Sequence, residues 1–354
     1  MDFIPGIELS RRYWLDVVAP IVGDLLPHVP LAAAVVGNGS DVLGFDTARS
    51  TDHGFGPRVV VFLDDDAGLS EMRRRDLLSA IDARLPDAFL GHPTRYVAVS
   101  DGPEQHQVSL TTVRAWFKER LGFDPRDDIT ATHWLGAPSQ LLRTSIAGAV
   151  FEDATGALTR ARERLAWYPD EVWLYVLACG WRRIDQEEPF VGRTGEVGDD
   201  LGSAIVAARL VRDIMQLCFL IERQYAPYSK WLGTAFSRLA CGPALTPVLQ
   251  EVLAATDWKA RETALVPAYE HVARAFNDLA IADREEPTVR FFYNRPFRVL
   301  NSSRFVDACM AKTPLSRLGY AGSIDQFADS TDVLSNPAVA QRLGVFIIPR
   351  DDAS

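Results

Sequence analysis

Apolar residues recur at helical spacing between residues 8 and 26, where Trp14, Val17, Val18, Ile21, Val22, Leu25 and Leu26 share one stripe, so this stretch predicts an amphipathic helix. The short apolar run from Leu31 to Gly37 predicts a buried strand ending in a glycine turn. Arg58 to Leu63 predicts a second strand, because Val59, Val60, Val61 and Phe62 are β-branched or aromatic and three aspartates, Asp64 to Asp66, close the run. Leu69 to Leu85 reads as a helix with Ser70 as its cap and Pro86 as its stop. Arg95 to Val99 predicts a third strand, Val108 to Leu121 a helix, and Ile146 to Glu152 a strand before the turn Asp153 to Gly156. About twenty loop residues separate the first two strands, too many for an ordinary hairpin and of a length that usually carries function.

Past Tyr168-Pro169 the pattern changes. Residues 170–184, 199–223, 229–239, 247–254 and 259–279 all show helical periodicity, which predicts a helical bundle. Residues 288–354 are rich in turn formers. The expected organisation is a mixed α/β (α+β) domain over 1–165, a helical bundle over 166–285 and a C-terminal segment over 286–354.

Composition narrows the function. The 354 residues carry 37 basic and 47 acidic side chains, a net charge of -10, which removes the general attraction to polyphosphate on which most nucleic-acid binders rely. Bulk DNA or RNA is therefore not an expected partner. No run of about 18 apolar residues occurs, and Met1 to Gly6 lacks the pattern of a signal peptide, so a cytoplasmic location without membrane contact is expected. Cys179, Cys218, Cys241 and Cys309 are far apart and form no Cys-x-x-Cys pair, which predicts free thiols and no sulfur-held metal. Nucleophile-elbow, Walker A, dinucleotide-fingerprint and zinc-protease motifs are all missing.

The stretch that carries chemistry is Val36-Gly37-Asn38-Gly39-Ser40, followed by Gly44-Phe45-Asp46 and by Ser50-Thr51-Asp52-His53-Gly54-Phe55-Gly56-Pro57-Arg58. A Gly-Ser turn after a buried strand offers backbone N–H groups and a hydroxyl to a triphosphate. An acidic residue before the next strand offers a ligand to a divalent cation. These residues resemble the nucleotidyltransferase superfamily built on the DNA polymerase beta palm, whose signature is Gly-Ser, a later Gly, and Asp-x-Asp entering the next strand. More closely, the chain is similar to a family of bacterial proteins of unknown function. The matching segments include Glu187-Glu188-x-Phe190-x-Gly192-Arg193, Val197-Gly198-Asp199-x-Leu201-Gly202-Ser203, Tyr225 to Trp231, Arg295-Pro296-Phe297 and Gly322 to Phe327.

That resemblance implies a polymerase-beta-type mixed sheet and an enzyme that binds ATP or another nucleoside triphosphate with Mg²⁺. The nucleotidyl group would pass to a hydroxyl or amine of a small molecule. Gly39, Ser40 and Arg58 are the expected nucleotide contacts, with Lys230 from the helical half, and Asp52 is the expected metal ligand and catalytic carboxylate. Arg58 is equally open to an ion pair with one of the aspartates, and His53 to a phosphate, metal or structural role. Tyr225, Tyr228 and Trp231 are candidates to stack on a base or on the acceptor. For Arg209 and Arg212, three residues apart on one helix face, an ion-paired or solvated face is the expectation. Glu187, Glu188, Arg193 and Asp199 read as a charged loop between helices.

One departure sets the alternative. The second aspartate of the signature is replaced by Gly54. Two Mg²⁺ ions about 4 Å apart repel by roughly 16 kcal/mol at an effective dielectric of about 20, so a lost anionic ligand argues for an emptied metal position. Asp46, Asp64, Asp101, Asp128 and Asp153 are possible substitutes, and Asp128, placed on a strand leading to Trp134, is the choice for the remaining catalytic carboxylate. The alternative is a fold that has lost nucleotidyl transfer and binds a small molecule or performs another reaction. A partner-binding module of toxin–antitoxin type is a third option.

Overall fold

The computed structural model describes residues 3–52, 54–65, 70–97 and 103–347, the side chains of Asp52, Phe346 and Ile347 excepted. In chain order the first elements are α1 (Gly6–Tyr13), a π-helical turn (Trp14–Val18), α2 (Ala19–Leu25), β1 (Leu31–Val35), β2 (Val59–Leu63) and α3 (Glu71–Asp82). Two small hairpins follow, β3 (Ala88–Phe89) with β4 (His92–Pro93) and β5 (Arg95–Tyr96) with β6 (Gln105–His106). Next come β7 (Val108–Thr112), α4 (Val113–Leu121), α5 (Ala131–Gly136), α6 (Ser139–Ile146), β8 (Ala149–Asp153) and α7 (Ala157–Arg164). The remaining helices are α8 (Asp170–Glu187), α9 (Phe190–Glu196), α10 (Asp200–Ile221), α11 (Ser229–Phe236), α12 (Gly242–Ala254) and α13 (Trp258–Asp278). A hairpin of β9 (Arg290–Phe291) and β10 (Arg298–Val299) precedes α14 (Ser303–Met310), α15 (Ile324–Phe327), α16 (Thr331–Leu334) and α17 (Pro337–Ile347). The chain forms two compact units, residues 1–129 with 141–166, and residues 130–140 with 167–354.

The first unit is mixed α/β. Its sheet has the order β7-β2-β1-β8, with β1 antiparallel to β2 and β8, and β2 parallel to β7. Alternation along β2 aims Val59, Val61 and Leu63 at a core completed by Tyr13, Trp14, Val18 and Val22 from the first helical stretch. Phe62 faces the other way and meets the Trp116 ring edge-on at 5.9 Å. Ser70 caps α3 by accepting the Arg73 N–H, as its sequence position predicts.

Two sequence expectations fail here. Residues 108–121 are not one helix. Val108 and Leu110 are buried and Ser109 is exposed, a period of two, and Thr112 ends the strand by accepting the Ala115 N–H as the cap of α4. The Arg95–Val99 strand, of which Ala98 and Val99 lie outside the described residues, contributes Arg95 and Tyr96 to a hairpin rather than to the main sheet.

The second unit is helical. Asp199 caps α10 through the Gly202 N–H, and Asp257 caps α13 through those of Lys259 and Ala260. Trp181 of α8 stacks on Phe305 of α14 with centroids 4.5 Å apart, and Phe276 of α13 closes edge-on at 5.8 Å. The expected charged loop at 187–199 is mostly helix, since α8 runs through Glu187 and α9 carries Arg193. The C-terminal residues, rich in turn formers, also hold α14 and α17. All four cysteines are free.

Candidate functional site

The turn between β1 and β2 sits at the end of the sheet where β1 finishes and β2 begins. Gly37 and Gly39 both hold positive φ, 93° and 141°, which suits glycine. The Gly37 N–H donates to the Thr144 carbonyl at 3.2 Å, while Phe45 N–H donates to Ser40 O and Leu43 N–H to Gly39 O, closing the turn. A side chain at Gly37 would collide with the Arg120 guanidinium, and one at Gly39 with the Asp41 carboxylate and the Arg58 guanidinium. The structure thus brings Gly39, Ser40 and Arg58 together, as expected, and adds Arg120.

Arg58 is held by Asp41 in a bidentate pair, Nε to Oδ2 at 3.0 Å and Nη2 to Oδ1 at 2.7 Å. The ion-pair alternative for Arg58 is therefore realised. Arg120 differs. It lies over the Trp116 ring at 4.8 Å, and among the described residues it donates to Asn38 Oδ1 at 3.4 Å. No carboxylate pairs with it among the described residues. Burial holds its guanidinium below the usual arginine range; Glu119 pulls it back and the like charge of Arg58 adds to the depression. Two guanidinium groups face one glycine turn with Asp41 as the one carboxylate paired to them among the described residues, which leaves local positive charge where an anion can approach backbone N–H groups. Sequence reasoning missed Arg120. The available signal was the i, i+4 spacing from Trp116, which puts both on one helix face.

The carboxylates expected to carry a metal do not gather. Asp46 Oδ2 accepts the Gly6 N–H at 2.7 Å, Asp41 is paired with Arg58, and Gly54 is exposed. Asp128 is exposed in the segment after α4, and the expected strand around it is instead a coil leading into α5, with Thr130 as cap. Asp153, at the far end of β8, accepts the Thr159 N–H. The Asp52 side chain, His53 and Asp101 lie outside the described residues. Among the described residues no group of three His, Cys, Asp or Glu side chains could hold a metal ion. The described residues therefore do not assemble a Mg²⁺ site, and the sequence candidates Asp52 and Asp101, whose side chains lie outside them, are left open.

Lys230, Tyr225, Tyr228 and Trp231 belong to the second unit. Lys230 is exposed over the Trp231 ring at 5.2 Å, and the Tyr228 N–H donates to Gln140 Oε1. Tyr225 is buried against Trp167 and Tyr168, with centroids 4.9 and 5.1 Å away. Arg209 pairs with Glu187 at 2.9 Å, as expected, whereas Arg212 makes no ion pair among the described residues and lines a pocket.

The segments shared with the resembled family meet inside this unit. Glu188 accepts backbone N–H groups from Leu300, Asn301 and Ser302 at 2.7, 3.2 and 2.9 Å, just before α14, and Asp185 accepts that of Ser303. Asp325 accepts both the N–H and the hydroxyl of Ser139, and Gln326 donates to Val176 O. These side chains act as caps and ties between distant segments.

The fold and site define a mixed α/β unit with an arginine-lined glycine turn, joined in one chain to a helical unit. Residues 134–232 match the model of a family described as a domain of unknown function (DUF4037). A crystal structure of a nucleotidyltransferase-like protein from Exiguobacterium sibiricum is similar over 77% of this chain and 76% of that chain, at 11% identity and a TM-score of 0.31. No curated protein matches the chain. Among the described residues no helix is long and apolar enough to cross a membrane.

Proposed function

We propose that the α/β unit binds a nucleoside triphosphate through its phosphates at the Gly37–Ser40 turn, with Arg58 and Arg120 as the cationic clamps. The observation that carries this reading is the Arg120 guanidinium, partly buried, lacking a carboxylate partner among the described residues and turned to a glycine beside a second arginine. A phosphate oxygen is a ligand that both guanidinium groups and the turn N–H groups can share. ATP is the natural first probe, and the protein would act in the cytoplasm on small molecules.

Calorimetric titration with ATP, with and without Mg²⁺, tests it. The unmodified chain is expected to bind at micromolar affinity and Arg120→Ala about 10–100-fold more weakly, the range for a hydrogen-bonded charge. The variant should melt within a few degrees of the unmodified chain, because Arg120 forms no ion pair among the described residues and gives up only its stacking on Trp116 and a long hydrogen bond to Asn38. Absence of binding by ATP and by pyrophosphate would overturn the reading.

Transfer of the nucleotidyl group to a small-molecule hydroxyl or amine is the further step that the resemblance implies, with Asp52 as the metal-binding carboxylate. Asp128, exposed in coil rather than on the expected strand, lends it no support. The commitment of Asp41 and Asp46 to other partners favours the second reading, a nucleotide-binding unit without transfer. Pyrophosphate release from ATP that disappears in Asp52→Ala would select transfer.

A further inference from the structure

The helical unit holds a pocket of about 40 Å³, room for the polar head of a small molecule. One wall is aromatic. Trp167, Tyr168 and Tyr225 pack on one another with centroids 4.9 to 5.1 Å apart, so they present a continuous surface rather than a cage around a cation. Leu217 and Leu220 extend the apolar surface.

The polar side of the pocket is incompletely satisfied. Asp213 is 5% exposed; its Oδ1 accepts Arg183 Nε at 2.9 Å, but its Oδ2 is buried with no hydrogen-bond partner. Trp167 Nε1 is likewise buried without an acceptor. Arg212, next to Asp213 on α10, makes no hydrogen bond or ion pair among the described residues. It acts electrostatically on Asp325, which already accepts from Ser139 through both oxygens and whose carboxyl burial pushes up. Arg183 is committed to Asp213 and to the Gln326 carbonyl.

A buried carboxylate oxygen without a donor is costly, and so is a guanidinium without an acceptor. What is missing is one cationic donor and one anionic acceptor, close together. A triphosphate fits poorly, since Arg212 is the single uncommitted cation among the lining residues and two carboxylates face it. We propose that this pocket binds a small zwitterion of the α-amino acid type. Its ammonium would sit on Asp213 Oδ2, its carboxylate on Arg212 and Trp167 Nε1, and a small side chain against the Tyr168–Tyr225 wall. Consecutive opposite charges on one helix then meet opposite charges on one ligand carbon. The site lies wholly in the second unit and does not depend on nucleotide binding in the first.

The test is thermal melting of the full chain with each common amino acid at about 10 mM, then calorimetry on the best stabiliser, its decarboxylated amine and its deaminated acid. At least one amino acid should raise the melting temperature and bind with a dissociation constant below about 1 mM. Both analogues should bind at least about tenfold more weakly, since each leaves one charged group unpaired. Arg212→Gln should reduce affinity by about tenfold or more while leaving the unliganded melting temperature unchanged; Asp213→Asn should abolish binding. The proposal is overturned if no amino acid stabilises the chain, if either analogue binds as tightly as its parent, or if Arg212→Gln binds normally. Loss of ATP binding in Arg120→Ala with amino-acid binding intact would separate the two sites.

Discussion

Glu188→Ala is expected to lower the stability of the helical unit by about 3–5 kcal/mol, the range for removing a buried hydrogen-bonded charge. The side chain is 4% exposed and is the acceptor for three successive backbone N–H groups at the start of α14. Without it those donors are left in an interior that includes the Trp181–Phe305 stack, where water cannot replace the acceptor. Denaturant unfolding followed by tryptophan fluorescence reads the loss, and a change below about 1 kcal/mol would show that the cap is dispensable.

The same carboxylate gives a pH signature. Burial pushes the Glu188 carboxyl up to about 7 against the pull of its three N–H donors. A carboxyl raised above its unfolded value leaves the native state holding a proton that the unfolded chain has lost. Its contribution to stability is therefore complete at low pH and declines as pH rises from about 4.5 to about 7. His106, His133 and His271, lowered chiefly by burial, act with the opposite sign over part of that window. The clean measurement is a difference. Relative to Glu188→Gln, which cannot titrate, the unmodified protein should lose about 1–3 kcal/mol between pH 5 and pH 7. Parallel pH profiles for the two proteins would contradict the assignment.

Gly148→Ala is expected to cost about 3 kcal/mol and to weaken ATP binding with it. Gly148 has φ +77°, and a Cβ there would run into the Val35 carbonyl. That carbonyl belongs to a strand whose register with β8 pairs Val35 with Ala149, so it cannot retreat without opening the sheet beside the glycine turn. Gly44 supplies the control. It also has positive φ, 67°, but open space where a Cβ would stand, so Gly44→Ala should cost only about 1 kcal/mol of backbone strain. Comparable losses for the two variants would mean that the steric account is wrong.

Much of the local structure was legible before any coordinates. The β1-turn-β2 sequence, the Ser70 cap and the long helices of the second half follow from periodicity and capping chemistry that act over a few residues. The sequence pattern hides β7, because Val113, Trp116, Phe117 and Leu121 supply a helical stripe that extends over its apolar pair Val108 and Leu110. What makes Val108–Thr112 a strand is the edge of β2, whose N–H and carbonyl groups need a partner. Asp128 was misplaced for the related reason that a carboxylate near a short apolar run looks alike before a strand and before a helix.

The candidate site divides the same way. Gly39, Ser40 and Arg58 are close in sequence, and turn chemistry alone brought them into view. Arg120 reaches Asn38 from 82 residues away, and that approach exists because α4 follows a strand parallel to β2. Trp167, Asp213 and Asp325 likewise sit on three separate segments. Sequence by itself determined the elements and the glycine turn, since these depend on neighbours along the chain. Tertiary structure decided which charges are left without partners, because a partner is a matter of distance in space and of access to water.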